Sequence, residues 1–301
     1  MELAAAQAAI HDVLRKVASV HLVKLVEWMK TTNDFDEYCT DNNEILLKSI
    51  AEDLRGCLPI GAMLSSEPLA FKRTQQNPEP TVHIDAFLFD DDLIDSLCEK
   101  GKMSRNYCLS CGSHNTAPLA FISHSFSPLE IKFLFHHVLP DLAGKILVDV
   151  GSRLGAVLFG GYLYSAASQI IGVEINADFC QLQQVMIEKY QFSDRVQVVC
   201  GDICTHGPLL QSADVIVMNN VFEYFLDKEE QIRTWQFICF TLKKKGALLV
   251  TVPSLQESLS QLQTGIKLNQ WVQELPLDYN VYLGKDTDMD ALKQLHLYEV
   301  L

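Results

Sequence analysis

The sequence predicts an α/β fold: a sheet of mainly parallel strands with helices on both faces, preceded by a mostly helical N-terminal region. Three observations carry this. First, Lys145-Ile-Leu-Val-Asp-Val-Gly-Ser-Arg-Leu-Gly155 is a short apolar run that ends in Asp149 and breaks on Gly151. Second, after a helix-compatible segment, Ile170-Ile-Gly-Val-Glu174 is another apolar run ending in an acid. The two runs make a β-α-β unit with a glycine turn at the carboxyl edge of its first strand, where open α/β sheets bind their ligands. Third, apolar runs and helical segments keep alternating to about residue 252, the pattern of a parallel sheet.

Taken in order, residues 2–31 read as helix, with Ile10, Val13, Leu14, Val17, Val20, Val23 and Val26 keeping a helical period. A second helix covers 42–54, with Ile45, Leu46, Ile50 and Leu54 on one face, and Cys57-Leu-Pro-Ile-Gly61 stops it. Residues 65–80 are polar and carry Pro68, Pro78 and Pro80, which marks an exposed connector. Residues 82–89 alternate enough for a strand, and Asp90-Asp-Asp92 caps a short helix through Leu97. Ser127, Pro128 and Glu130 combine an N-cap, an N1 proline and a capping box, and open a helix to about Val138. Strands follow at 145–150, 170–174, 195–200, 214–218 and 246–252, with helices at 154–167, 177–191, 226–241 and 254–263. Residues 268–275 and 295–301 read as two closing strands.

Composition bounds the function. At 301 residues the expectation is about two domains. The chain has 24 basic against 38 acidic residues, a net charge of −14, and lacks a strong basic patch, which disfavours extended nucleic acid. Nine cysteines without a secretory signal fit reduced thiols, and no run reaches the roughly 18 apolar residues of a membrane span. A cytoplasmic or nuclear protein is expected. Cys108 and Cys111 have the C-x-x-C spacing of a zinc site, with Cys98, His114 and His124 as further ligands, but a second such pair is missing. Two thiols on a tight turn, with no metal, is the favoured reading.

The glycine spacing separates two cofactor classes. The dinucleotide fingerprint asks for G-x-G-x-x-G, whereas here glycines stand at 151 and 155 and not at 153 or 158. The segment resembles the first motif of the class I, seven-β-strand S-adenosylmethionine-dependent methyltransferases. Gly172-Val-Glu174 is similar to their ribose-binding strand end, and Val198-Val-Cys-Gly-Asp202-Ile203 to their adenine-contacting segment. Ala213 through Asn220 resembles their fourth strand, and Leu242-Lys-Lys-Lys-Gly246 through Pro253 their turn into strand five. The likeness covers roughly residues 127–301. It implies a Rossmann-like seven-stranded sheet whose last strand is inserted antiparallel by a hairpin. It also implies an accessory region over 1–125 and a methyltransferase domain over 126–301.

The resemblance further implies a donor site for S-adenosylmethionine. Gly151 and Gly155 let the backbone approach the donor, with Ser152 in the turn between them. Asp149 fixes the loop or meets the donor's amino group. Glu174 accepts the ribose hydroxyls, and Ile175 follows it. Asp202 takes the adenine amino group with Ile203 against the ring. His124, ahead of the capping box, lies over the donor's amino-acid end. Position 153, a glycine in the motif, is Arg153; it either meets the donor's carboxylate or distorts the loop.

Asn219, Asn220, Glu223 and Tyr224 stand where acceptors are presented. Asn219-Asn220 with its following aromatic, and Val148-Asp-Val-Gly-Ser152, are similar to segments of the non-SET histone-lysine methyltransferases. The same stretch also resembles the V-x-E-aromatic segment of small-molecule methyltransferases. An acidic surface favours a protein acceptor, a small-molecule acceptor stays open, and a non-catalytic scaffold is the alternative that Arg153 suggests.

Overall fold

The computed structural model describes residues 3–31, 42–58, 81–83, 85–101, 106–108, 116–118, 120–122, 125–223, 225–281, 283 and 289–301. The expected connector at 65–80, and with it Cys111, His114, His124 and Tyr224, lies outside them. The chain divides into two compact units, one of Met1–Asp41 with Gly284–Asp286, the other of the remainder.

The first unit holds two helices, α1 (Leu3–Lys16) and α2 (Ser19–Thr31). The expected single helix is thus interrupted at Val17–Ala18, where Val17 N–H donates to Leu14 O and the next turn restarts with His21 N–H on Ala18 O. The apolar period is real, yet Ile10, Val13, Val20 and Val23 are exposed.

The second unit carries the short strands β1 (Thr81–His83), β2 (Asn106–Cys108), β3 (Thr116–Pro118) and β4 (Ala120–Ile122), in two two-stranded pairs, and is built on one seven-stranded sheet. Its strands are β5 (Ile146–Val150), β6 (Gln169–Glu174), β7 (Val196–Cys200), β8 (Val215–Asn219), β9 (Leu248–Val252), β10 (Val272–Leu275) and β11 (His296–Val300). Across the sheet they run β10-β11-β9-β8-β5-β6-β7. Pairs from β9 to β7 are parallel, while β11 lies antiparallel to both β9 and β10. The antiparallel insertion is the one expected. Strands covered on both faces need apolar side chains on both. In β5, Leu147 faces one core cluster and Val148 and Val150 the other.

Helices α6 (Ala156–Tyr164) and α7 (Ala177–Lys189) cover the first face; α8 (Gly207–Ser212), α9 (Lys228–Thr241) and α10 (Leu255–Ser260) cover the second. The capping box at Ser127 forms as read, with Ser127 N–H donating to Glu130 and Glu130 N–H returning to Ser127 Oγ. It starts α5 (Pro128–Phe133), which runs on as a π-turn over Leu134–Val138.

Upstream of this, α3 (Asn42–Cys57) packs on α5, α6 and α7, and α4 (Asp91–Glu99) forms as expected with Asp90 as its N-cap. Leu47, Ile50, Ala51 and Leu54 form its buried face, so Leu47 takes the place expected of the exposed Ile45. Asn43 Nδ2 donates to Leu163 O at 3.0 Å, and Lys132 pairs with Glu44 at 3.2 Å. Two further readings change. The expected strand over 82–89 is confined to β1 (Thr81–His83), because 85–89 closes a turn in which Leu88 and Phe89 N–H both donate to Asp85 O. That turn buries Phe87 and Leu88, which gave the segment its strand-like hydrophobicity. Likewise Leu268–Trp271 is a helical turn, and only Val272–Leu275 is strand. Trp271 Nε1 donates to Leu242 O there, a tertiary bond that local pattern does not report.

Candidate active site

The carboxyl ends of β5, β6, β7 and β8 open on a cavity of about 810 Å³. Its floor begins at Gly151, whose φ of +73° suits glycine, and where a Cβ would meet Val221 Cγ1 at 2.8 Å. Gly155 also has a left-handed backbone, φ +83°, but it caps α6 and lies against Phe159 and Gln183 rather than the cavity. Ser152 likewise turns inward: its hydroxyl donates to Gln183 Oε1 at 2.8 Å.

Glu174 ends β6 and is 7% exposed. Asn176 N–H donates to its Oε1 at 2.8 Å and Arg153 N–H to its Oε2 at 2.9 Å. Each carboxylate oxygen accepts more than one hydrogen bond, so the group that fastens the glycine turn also forms cavity wall. Asp149, one strand away, is handled in the opposite way. It is 4% exposed and does not line the cavity. Burial, and then the charge of Glu174, push its pKa up to about 8.

Asp202 caps the short 3₁₀ turn Ile203–Thr205, accepting from Cys204 N–H at 2.8 Å, and with Gly201 and Ile203 it forms the wall beyond β7. Ile175, 70% exposed in the chain, overhangs the same side. Asn219 closes the wall at β8. Asn220 does not line it: its φ is +49°, its N–H donates to Val252 O, and its Nδ2 donates to Asn219 Oδ1 at 3.0 Å. Glu223 faces a separate small cleft with Trp235 and Thr251.

The structure thus gathers Gly151, Arg153, Glu174, Ile175, Asp202, Ile203 and Asn219 around one cavity. It leaves Asp149, Ser152, Gly155, Asn220 and Glu223 outside the lining. Sequence reasoning missed Phe179 on α7, Cys204, Leu226, and the α9 residues Glu230, Arg233, Thr234 and Phe237. The α9 set repeats at helical spacing, a signal legible only once α9 is known to flank the site.

Residues 148–250 match the family model described as methyltransferase domain. Residues 148–250 carry a methyltransferase domain, and the sheet around them has the class I order. The sheet order with its antiparallel β11 agrees, and the donor of this class is S-adenosylmethionine. The residues present fit that group: a left-handed glycine that a Cβ would block, an acid at the end of β6, and an acid with an apolar neighbour after β7.

Among solved structures, the methyltransferase is similar to an O-methyltransferase from Bacillus cereus in complex with SAH. The identity is 15% over 60% of this chain and 84% of that one, with a TM-score of 0.43. It is also similar to cofactor-bound Rv0187 from MTB, at 16% identity, 58% and 81% coverage and a TM-score of 0.41. An RNA methyltransferase from Salinibacter ruber in complex with S-adenosyl-L-homocysteine gives 14%, 58%, 90% and 0.37. Likenesses of this strength carry no argument about the acceptor. No curated protein matches the chain. Among the described residues no helix is long and apolar enough to cross a membrane, and no cluster of metal-ligating side chains occurs.

Proposed function

We propose that this methyltransferase moves the methyl group of S-adenosylmethionine to a neutral nitrogen on a protein side chain. In this reading Glu174 accepts the ribose hydroxyls, Asp202 the adenine amino group, and Ile175 and Ile203 flank the base. Gly151 gives the backbone access to the donor. The in-line displacement from a sulfonium needs alignment more than covalent help. Asn219 is the alignment residue: a carboxamide in the wall holds a neutral amine or amide without protonating it.

The single observation that carries the choice of acceptor is Asn219 beside Phe222 and Phe225 in the wall of a protein with net charge −14. An acidic surface attracts basic polypeptides and repels phosphate backbones. Residues 1–125 act as the accessory region that selects the acceptor.

The test is transfer of labelled methyl from the donor into a cell extract, followed by separate protease and ribonuclease digestion. Label that only protease releases supports the proposal. Label in RNA or in the small-molecule fraction contradicts it. A purified chain that binds the donor and labels nothing favours the scaffold reading.

A further inference from the structure

Arg153 occupies the place of the motif's middle glycine, yet the turn keeps a glycine's backbone, with φ at +42°. A left-handed non-glycine residue is strained, and such strain persists only where the surrounding contacts hold it. The side chain is almost fully buried and built in on two sides. Its guanidinium lies 5.0 Å over the Phe179 ring, and its Nε is 3.7 Å from Asp85 Oδ2. Asp85 is itself held, by Ser125 Oγ donating to Oδ2 at 2.6 Å and Phe87 N–H donating to Oδ1 at 3.0 Å. Burial raises the Asp85 pKa and the Arg153 charge opposes that rise. Asp85 and Ser125 come from the segment ahead of the matched family region, so this chain has supplied its own partner for its own departure.

The order of the strands says what the arginine faces. Base, ribose and amino-acid end must follow the sheet edge from β7 to β6 to β5, given Asp202 after β7 and Glu174 at the end of β6. The amino-acid end then falls at the Gly151 turn, where Arg153 forms the wall. Of the cavity's two cations among the described residues, Arg233 is on α9 and only Arg153 belongs to this turn. The donor carries one anionic group, its carboxylate. A guanidinium fork has five N–H donors, enough to serve Asp85 and a second carboxylate together.

We propose that Arg153 is the specificity residue for the carboxylate of the donor's amino-acid end, and that Asp85 is the positioning residue that aims it. This rests on the donor site proposed above. The arginine then discriminates against adenosine thioethers that lack the amino-acid group, and its place in the motif is an adaptation rather than a loss.

The experiment is calorimetry of the full chain with S-adenosylhomocysteine and with 5′-methylthioadenosine, which lacks the amino-acid carboxylate. Arg153→Gly restores the backbone's preferred residue, and Arg153→Gly/Asp85→Asn also removes the buried carboxylate charge left behind. Both variants should lose about tenfold to a hundredfold in affinity for S-adenosylhomocysteine, the range for one charged hydrogen-bonding partner. Both should keep methylthioadenosine affinity within about twofold. Asp85→Asn alone should shift the ratio in the same direction by less. Equal weakening of both ligands, or an unchanged ratio, overturns the proposal and leaves the donor site standing. Wild-type chain that binds neither ligand overturns the donor site and this inference with it.

Discussion

The cavity's two sides are built on different terms. On the β5–β6 side every wall residue of the turn is tied down: Arg153 N–H to Glu174, Arg153 O to Gln183 Nε2, Asn176 N–H to Glu174, and the guanidinium to Asp85. On the β8–α9 side Val221, Phe222, Phe225, Leu226 and Phe237 make an apolar wall around Asn219, with Glu230, Arg233 and Thr234 of α9 at its edge. A buried network holds one geometry because any break leaves unpaired polar groups. An apolar wall accepts substitution at constant volume. The first side suits a fixed donor; the second suits an acceptor that differs between methyltransferases.

The largest effect is expected at Asp149. Its folded pKa of about 8 lies above the unfolded value. Between roughly pH 4 and pH 8 the folded state therefore holds a proton that the unfolded state has released. Stability from this group is greatest below pH 4 and declines as pH rises towards 8. Asp149→Asn should flatten that decline and stabilise the donor-free protein at pH 8 by at most about 5 kcal/mol, four units at 1.36 kcal/mol each. Chemical denaturation across pH checks it; an unchanged slope would mean that Asp149 is solvated.

Glu174→Ala should weaken S-adenosylhomocysteine by about 1–3 kcal/mol and also lower stability by a similar amount, because two backbone N–H groups lose their acceptor. Calorimetry and thermal unfolding read the two effects separately. Loss of stability with intact affinity would reduce Glu174 to a turn fastener.

Across the cavity the effects should separate between neighbours. Asn219→Ala should lower kcat/KM by about tenfold with donor affinity near normal. Asn220→Ala should cost about 1–2 kcal/mol of stability, since its backbone is left-handed. Smallest is Phe237→Ala, a half-buried residue, expected to cost about 1 kcal/mol or less of stability while changing which acceptors are used. Steady-state kinetics on a labelled extract fraction and melting curves distinguish all three. Equal activity loss at Asn219 and Asn220 would erase the distinction.

Much of the sheet was legible because strands buried on both faces read as unbroken apolar runs closed by Asp149, Glu174 or a glycine. The glycine turn and Glu174 were legible for the same reason, since they sit at the ends of those runs. What escaped was set by tertiary contact. The turn at 85–89 imitates a strand because its Phe87 and Leu88 are core residues. Trp271 belongs to a helical turn that its bond to Leu242 O holds. Phe179 and Phe237 join the wall only through the crossover helices α7 and α9. Gly155 and Ser152 carry the motif's letters, yet Phe159 and Gln183 claim them for packing.

The most direct test of the donor site is a calorimetric titration of the purified chain with S-adenosylhomocysteine, with NAD as the control ligand. One binding event per chain is expected with S-adenosylhomocysteine, weakened in Glu174→Ala, and no heat with NAD. Binding of NAD with no response to S-adenosylhomocysteine would contradict it.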